Sequence, residues 1–295
     1  MHNIRLIAMD MDGTLLSRVS PTGATIPEEN RAVLQRCQRA GIHLALASGR
    51  LPDDASFFAL DAGLNMHIIG LNGGVILPSP MGKPVYERFL PEDTARGVTE
   101  ILAEAGVDVV AFGLWEAASL RSRTLAWARQ ELGSYFGREG GRLRYRTGRD
   151  AVQGLMKCAG KIVALTENDR EGLARAKERI LARYPEASVT SSWWNNFEVN
   201  PAGTDKGSAL CRLADTLGVP MHQVMAIGDN DNDASMLHAA GVGVAMGNAT
   251  QAARDAATHV TLTNEEMGVA AAIRALVYGE EIAGVAAIAD RRERP

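Results

Sequence analysis

The 295-residue sequence predicts an α/β protein: a doubly wound, Rossmann-like parallel sheet with an α+β domain inserted into it. Two observations lead to this fold class. At both ends of the chain, short apolar runs alternate with helical stretches, which is typical of parallel sheets with crossover helices. From about residue 82 to 197 the runs are shorter and the aromatic residues denser, which indicates a different kind of unit. The length itself fits roughly two domains.

The terminal parts of the chain supply the predicted core elements. Their strands are bounded by Gly and Asp, as expected for strands buried on both faces. In the first helix, Pro27 suits the first helical position and Gly41 suits the end. The predicted strands are Ile4–Met9, Ile42–Ala47, Val224–Ile227, Val242–Ala245 and His259–Leu262, and the predicted helices are Pro27–Ala40, Lys206–Leu217, Ala249–Ala256 and Gly268–Tyr278.

The middle of the chain is predicted to form the inserted domain. Hinges are expected at the proline-rich stretch Pro78–Pro84 and at the turn Asn200–Thr204. The predicted domains are therefore residues 1–82 with 198–295 as the core, and residues 83–197 as the insertion. Its predicted strands are Val109–Phe112, Lys161–Leu165 and Val189–Trp194, and its predicted helices are Thr94–Ala105, Leu120–Leu132 and Arg170–Arg183.

Composition excludes several classes of partner and location. Lys and Arg number 31 against 35 Asp and Glu, a formal charge of −4, which argues against a nucleic-acid partner. The sequence has neither an uncharged apolar stretch of about 18 residues nor the features of a signal peptide, so no membrane span is expected. Cys37, Cys158 and Cys211 are far apart and odd in number, which favours a reducing, cytoplasmic compartment over a disulfide or zinc framework.

Two aspartates directly after the first predicted strand form the strongest chemical signal. The sequence Asp10-Met11-Asp12-Gly13-Thr14 lies at the strand's carboxyl end, where ligands bind in open α/β sheets. Alternation along an extended chain puts Asp10 and Asp12 on one side. Such a pair favours either a bound divalent cation or one carboxyl with a raised pKa, and both suit catalysis, although an Asp-Gly turn with incidental acids explains the motif alone equally well.

Two further segments suggest anion binding. Ser48-Gly49-Arg50 ends the second apolar run and offers a hydroxyl and a backbone N–H, although serine is also a common helix cap. Lys206 opens a predicted helix, where a cation opposes the helix dipole, so it makes sense if the amine meets an anion. Taken alone, an exposed lysine is the favoured interpretation.

The sequence Gly228-Asp229-Asn230-Asp231-Asn232-Asp233 follows another apolar strand. Acids and amides packed this densely favour a cation. The glycine and distal glutamate of an EF-hand are missing at the required spacing, so a calcium loop is disfavoured. Carboxylates, a cation, a lysine and a hydroxyl together suit a phosphoryl group.

These four segments, in this order, resemble the haloacid dehalogenase superfamily, and specifically its Cof-type phosphatases. The matching motifs are DMDGTLL, SGR, TDKG and GDNDND, with further likeness at Asn72-Gly73-Gly74, at Ala245–Ala249 (AMGNA) and, loosely, at Asn264–Val269 (NEEMGV). The resemblance implies a Rossmann-like core with an α/β cap inserted between the second and third motifs. It also implies that the cap provides substrate selectivity.

The resemblance implies a role for each matched residue. Asp10 would be the nucleophile that forms an aspartyl-phosphate, and Asp12 the general acid and then base. Mg²⁺ would be held by Asp10, the backbone carbonyl of Asp12, and Asp229. The phosphoryl group would be bound by Met11, Ser48, Gly49, Lys206 and Asn232, with Lys206 also counted as catalytic and Asp233 supporting the metal shell or Lys206.

Two core residues and one cap segment are possible substrate contacts. Arg50 and Asn72 fit either a substrate contact or a purely structural role. Trp193, Trp194, Asn195 and Asn196 form a candidate substrate-facing set, against the more common division of strand aromatics between core and surface.

The resulting hypothesis is a cytoplasmic, Mg²⁺-dependent phosphatase acting on a small phosphorylated metabolite such as a sugar phosphate. A phosphotransferase or mutase with the same intermediate is the enzyme alternative. A non-catalytic phosphate-binding module is disfavoured by the complete acid set, and a dehalogenase by Asp12. The sequence does not predict the substrate or the oligomeric state.

Overall fold

A computed structural model describes residues 3–17, 25–121, 144–190 and 195–288. The strands in these ranges are β1 (Leu6–Met9), β2 (His43–Ala47), β3 (His67–Gly70), β4 (Val75–Leu77), β5 (Tyr86–Glu87), β6 (Asp108–Phe112), β7 (Glu116–Ser119), β8 (Arg144–Thr147), β9 (Lys161–Leu165), β10 (Ser188–Thr190), β11 (Asn196–Asn200), β12 (Val224–Gly228), β13 (Val242–Ala245), β14 (His259–Val260) and β15 (Ala286–Ala287). The helices are α1 (Glu28–Arg39), α2 (Pro52–Asp61), α3 (Glu92–Glu104), α4 (Arg149–Leu155), α5 (Arg170–Arg183), α6 (Lys206–Thr216), α7 (Ala234–Ala239), α8 (Gln251–Ala256) and α9 (Gly268–Leu276).

The chain divides into two compact units. The first comprises residues 1–50, 55–85 and 205–295, and the second comprises residues 51–54 and 86–204. The boundaries at 85/86 and 204/205 fall three and seven residues after those predicted at 82/83 and 197/198, because β11 belongs to the second unit in full. The catalytic and selectivity roles expected of the two domains stay predictions.

The first unit is built on a mainly parallel sheet in which β15, β14, β13, β12, β1, β2, β3 and β4 lie side by side in that order. The pairs from β14 to β3 are parallel, whereas β4 and β15 are antiparallel to their neighbours. Both β1 and β12 are buried along their whole length, as the uninterrupted apolar runs predicted. The predicted α/β class with a doubly wound parallel sheet is confirmed.

The strand register brings the sequence motifs to one edge of this sheet. Met9, the last residue of β1, pairs with Leu46 of β2 and with Ile227 of β12. The residues that follow these three strands therefore leave the sheet at the same level. Three of the four motif segments, those that begin near Asp10, Ser48 and Asp229, therefore start at this carboxyl edge or one residue from it, whereas Lys206 reaches the site from the start of α6.

The second unit has its own sheet and its own core. Its strands lie in the order β10, β11, β9, β6, β7, β8, and the central pairs are antiparallel. The core residues include Val109, Ala111, Ile162, Ala164 and Phe197, which alternate along β6, β9 and β11 and pack with residues of α3 and α5. The predicted α+β character of this segment is thus present in the described residues.

Several predicted elements differ from the structure or lie outside it. Of the predicted strand at residues 189–194, residues 189 and 190 lie in β10 and residues 191–194 lie outside the described residues; β11, which begins at Asn196, was not predicted. Trp193, Trp194 and the predicted helix at 120–132 beyond Arg121 lie outside the described residues. No helix within the described ranges is long and apolar enough to cross a bilayer.

Candidate active site

The site is organised around the loops that follow β1, β2 and β12. Asp10 comes directly after β1, and its backbone N–H donates to the carbonyl of Ile227 in β12 at 3.0 Å. Ser48 comes directly after β2, and its N–H donates to the carbonyl of Ile69 at 2.9 Å. Asp229 follows β12. The backbone hydrogen bonds of the sheet therefore extend one residue beyond β1 and β2, and they fix the backbone positions of Asp10 and Ser48.

Lys206 connects two of these loops. Its ammonium donates to Oδ1 of Asp10 at 2.5 Å and to Oδ1 of Asp233 at 2.6 Å. The lysine is only 1% exposed, and Asp233 is fully buried. The charge that seemed misplaced at a helix start is thus neutralised by two buried carboxylates, and the alternative of an exposed lysine is wrong.

The start of α6 is held against the start of α7, which brings Lys206 to Asp233. The N–H of Gly207 donates to Oγ of Ser235 at 3.1 Å. A Cβ at Gly207 would lie 2.5 Å from the carbonyl oxygen of Ser235, so only glycine permits this approach. Asp205 caps α6 by accepting from the N–H of Ser208.

Asp229 is held by the loop after β1. The hydroxyl of Thr14, which is fully buried, donates to Oδ1 of Asp229 at 2.6 Å. Gly13 has a φ of +81°, and a Cβ there would lie 2.5 Å from Oδ2 of Asp229. Gly13 therefore leaves room for the Asp229 carboxylate, and Thr14 donates the hydrogen bond that holds it.

Asp233 organises the loop after β12 as well as pairing with Lys206. Its Oδ2 accepts from the backbone N–H groups of Asp229 and Asn230, each at 2.9 Å. One carboxylate therefore fixes the backbone that carries Asp229 and also orients the ammonium. The structure places Asp233 at the position expected of a residue that supports Lys206.

Burial and mutual repulsion raise the pKa values of the acids in this cluster. Burial raises the pKa of Asp10 well above its ordinary value; the Lys206 ammonium opposes that shift and the neighbouring carboxylates add to it. Burial raises the pKa of Asp229 to about 7, opposed by the Thr14 hydroxyl. Burial alone would lower the pKa of Lys206, but the charges of Asp10 and Asp233 outweigh it and raise that pKa.

The donor set fits a hard divalent cation. Carboxylate oxygens of Asp10, Asp229 and Asp233 all lie within 4.8 Å of one another. When all three carboxylates are ionised, they and the ammonium sum to −2, which is the charge that a divalent ion neutralises. Oxygen ligands of this kind suit Mg²⁺, Ca²⁺ or Mn²⁺ rather than a softer metal. The residues present therefore fit the metal that the resemblance implied.

Asp12 contacts the loop after β2. Both carboxylate oxygens of Asp12 accept from the guanidinium of Arg50, with Nε 2.6 Å from Oδ2. The hydroxyl of Ser48 accepts from the N–H of Arg50 at 3.2 Å. Met11 is fully buried, and Gly49 lies between Ser48 and Arg50 in this loop.

Asn72 and Asn232 also contact each other at this edge. The amide of Asn232 donates to Oδ1 of Asn72 at 3.3 Å, and the N–H of Asn72 donates to the carbonyl of Ser48 at 3.1 Å. Asn72 thereby connects the loops after β2 and β12. Among the residues predicted to form the site, side-chain hydrogen bonds connect Lys206 to Asp10 and Asp233, Arg50 to Asp12, and Asn232 to Asn72.

Sequence reasoning missed some supporting residues. Thr14, which received no role from the sequence, donates to Asp229 and holds that carboxylate. Asn248, in the AMGNA segment, donates to the carbonyl of Gly13 at 2.8 Å and accepts from the N–H of Asn264 at 3.1 Å. The family resemblance had included both asparagines, so the signal existed, but nothing in their local sequence indicated which carbonyl they would reach.

The chain matches known proteins along most of its length. A family model described as haloacid dehalogenase-like hydrolase matches residues 7–273. The phosphatase YwpJ of Bacillus subtilis is 30% identical over 284 residues, covering 90% of this chain and 98% of that protein. A second B. subtilis protein, 5-amino-6-(5-phospho-D-ribitylamino)uracil phosphatase YwtE, is 29% identical over 309 residues, covering 94% of this chain and 99% of that protein.

A solved structure agrees with the sequence comparison. A haloacid dehalogenase-like hydrolase from B. subtilis aligns with a TM-score of 0.78 and 28% identity, covering 92% of this chain and all of the other. The family model covers far more than half of the chain, and it spans all four predicted motifs. The protein is therefore a member of the haloacid dehalogenase-like hydrolase family.

Proposed function

We propose that this hydrolase is a Mg²⁺-dependent phosphatase that cleaves a small phosphorylated metabolite through an aspartyl-phosphate on Asp10. The observation that carries the proposal is the buried contact of Lys206 with Asp10, beside Asp229, at the carboxyl edge of the sheet. Burying two carboxylates and an ammonium beside the partly buried Asp229 is costly, and such arrangements are typical of functional sites.

In the first step, a carboxylate oxygen of Asp10 attacks phosphorus. The bond from phosphorus to the ester oxygen breaks, and the leaving oxygen takes a proton from Asp12. Lys206 holds Asp10 in place through its 2.5 Å hydrogen bond and balances the negative charge that gathers there. Asp10 then carries the phosphoryl group as an acyl phosphate.

In the second step, water replaces Asp10 on phosphorus. Asp12, now a carboxylate, takes a proton from the attacking water, and the bond between phosphorus and Asp10 breaks. Inorganic phosphate leaves and both aspartates return to their starting states. Ser48, the backbone N–H groups of Met11 and Gly49, and Asn232 would bind the phosphoryl oxygens through both steps.

Asp10, the carbonyl of Asp12, and Asp229 would hold Mg²⁺, which supplies charge neutralisation for the phosphoryl oxygens. Thr14 and Asp233 keep the chain in position for this by fixing the Asp229 carboxylate and its backbone. The three aspartates thus have different roles: Asp10 forms and breaks the bond to phosphorus, Asp12 transfers protons, and Asp229 would bind the cation.

The substrate is proposed to be a small phosphate monoester in the cytoplasm. The relative YwtE is named for a phosphorylated ribitylaminouracil, and YwpJ is named simply as a phosphatase. These names support a phosphorylated small molecule without choosing among sugar phosphates and related compounds. Selection among them is assigned to the inserted cap, predicted as residues 83–197.

The experiment is a phosphate-release screen with the purified full chain. Sugar phosphates, nucleotides, phosphorylated cofactors and phosphorylated ribitylaminouracil are each offered with Mg²⁺, with and without a chelator. We expect release of inorganic phosphate that the chelator abolishes. Transfer to an added sugar in preference to water would identify a phosphotransferase, and binding without turnover would identify a phosphate-binding module; either result would overturn the proposal.

A further inference from the structure

Arg50 donates hydrogen bonds to both carboxylate oxygens of Asp12. The Nε atom lies 2.6 Å from Oδ2, and Nη2 contacts Oδ1. Two parallel N–H donors fix both the position and the plane of a carboxylate, whereas a single donor leaves its plane free. The orientation of Asp12 is therefore set by the orientation of the Arg50 guanidinium.

Arg50 is much more firmly held than its partner. Its side chain is 12% exposed, against 39% for that of Asp12. Its backbone N–H donates to the Ser48 hydroxyl at 3.2 Å, and its carbonyl accepts from the N–H of Leu71 at 2.9 Å. The guanidinium carbon also lies 5.6 Å from the centre of the Phe58 ring, within the range of a cation–π contact.

The turn that holds the Arg50 carbonyl is itself strained. Leu71 and Asn72 have φ angles of 53° and 54°, a region that residues other than glycine rarely adopt and that is enriched at functional sites. Their N–H groups donate to Arg50 and Ser48, the two ends of the loop after β2. The turn at Leu71 and Asn72 therefore fixes the backbone of the loop that carries Arg50.

From these contacts we infer that Arg50 is the positioning residue for the leaving-group chemistry of Asp12, and not a contact for the phosphoryl group. The inference rests on the proposed function, in which Asp12 gives its proton to the leaving oxygen. Because both carboxylate oxygens of Asp12 accept from Arg50, the guanidinium fixes the position and the plane of the group that serves the leaving oxygen, so Arg50 assists the transfer by orienting Asp12.

The acidity of the leaving alcohol separates these two roles. A dinitrophenolate leaves readily without a proton, whereas an alkoxide needs one, so only the alkyl ester depends on the general acid. A residue that binds the phosphoryl group acts on both esters equally. The ratio of kcat/KM for an alkyl phosphate to that for dinitrophenyl phosphate reports on Asp12, and it is independent of the fraction of protein that is folded.

The experiment measures this ratio for the wild type, Asp12→Asn, Arg50→Lys, Arg50→Gln and the double variant Asp12→Asn with Arg50→Gln. Lysine keeps the positive charge but loses the two-pronged donor. Glutamine loses the charge and keeps only one amide nitrogen as a donor. We expect the ratio to fall by about 10–100-fold in each Arg50 variant, with the dinitrophenyl ester losing no more than about threefold. The ratio for the double variant should fall no further than it does for Asp12→Asn alone, because both substitutions remove the same function, proton transfer to the leaving oxygen.

Arg274 provides the matched control. It makes an exposed ion pair with Glu29 at 2.9 Å, and Arg274→Gln should leave both rates within about twofold. If the ratio falls for Asp12→Asn but stays constant for the Arg50 variants, Arg50 acts elsewhere and this inference is wrong while the proposed function stands. If the ratio is constant even for Asp12→Asn, the acid role itself is wrong, and this inference falls with it.

Discussion

The ammonium of Lys206 lies 2.5 Å from Oδ1 of Asp10, although the two residues are 196 positions apart in the chain. The same ammonium lies 2.6 Å from Asp233. The first strand, the first helix after the insertion and the loop after β12 are thereby connected through one buried charge. Stability and catalysis should both depend on this contact, and they can be measured separately.

Lys206→Met should destabilise the protein strongly. Removing the ammonium leaves Asp10 and Asp233 buried together without a positive partner, and breaking such a pair costs about 3–5 kcal/mol. Because burial raises the pKa of Asp10, acid solution protonates this cluster readily, so the loss should be smaller near pH 5 than near pH 8. Urea unfolding of the metal-free protein at both pH values measures the two free energies.

Lys83→Met is the control for this change, since Lys83 is exposed. It should alter the free energy of unfolding by no more than about 0.5 kcal/mol. Equal stability of Lys206→Met and the wild type near pH 8 would contradict the energetic role assigned to the ion pair.

Stabilisation by Mg²⁺ should grow with pH. The pKa of Asp229 is about 7 in the folded protein against an ordinary 3.8, so the folded state binds more protons than the unfolded state between these values. The contribution of this group to stability therefore falls as pH rises through that window. Since Mg²⁺ binds the ionised carboxylate, the rise in Tm on adding it should be larger near pH 8 than near pH 5.5.

Asp229→Asn tests whether this one carboxyl is responsible. Without Mg²⁺, the variant should melt above the wild type near pH 8, and the difference should shrink as the pH falls below about 7. The variant should also lose most of the Mg²⁺ effect. A Mg²⁺-dependent rise in Tm that is the same in both proteins would assign the metal to other residues.

Thr14→Val should weaken the metal site without changing its ligands. The Thr14 hydroxyl donates to Asp229 and lowers the pKa of that carboxyl, so its loss moves the pKa of Asp229 further up. Groups that orient a ligand in this way typically contribute about 10–100-fold in metal affinity. We expect the Mg²⁺ concentration for half-maximal phosphatase activity to rise about tenfold at neutral pH.

Thr14→Ser keeps the hydroxyl and should remain within about threefold of the wild type in the same titration. If valine and serine gave the same Mg²⁺ requirement as threonine, the hydrogen bond to Asp229 would have no part in holding the metal.

Asp10→Asn should abolish phosphatase activity while the fold is retained. An amide cannot form the acyl phosphate, so kcat should fall by at least about 10³-fold. Asp61→Asn changes an exposed aspartate at the end of α2 and should keep full activity. Circular dichroism and the Tm of both variants check folding, and a near-wild-type rate for Asp10→Asn would exclude a covalent role for this residue.

Most of the site's location could be predicted because it depends on a general property of parallel sheets. Asp10, Ser48 and Asp229 each follow a buried apolar strand, and parallel strands bring their carboxyl ends to one edge. The position of Lys206 was signalled by a charge placed against a helix dipole. These features are local, so they can be read from a few neighbouring residues.

The remaining contacts depend on side-chain directions that local sequence does not determine. Nothing near Arg50 indicates that its guanidinium turns to Asp12, and nothing near Thr14 indicates that its hydroxyl reaches residue 229. The later boundary at 204/205 arises because β11 pairs with β9 in the sheet of the second unit. This pairing joins residues far apart in the chain, so the local sequence does not reveal it.

The most direct test of the account is to look for the phosphoryl group on Asp10. The full chain is mixed with a phosphate monoester and Mg²⁺, quenched in acid within the first turnovers, digested, and analysed by mass spectrometry. We expect the peptide containing Asp10 to gain one phosphoryl group in the wild type and none in Asp10→Asn. Phosphate release at the normal rate with no modified peptide, or with the group on another residue, would contradict it.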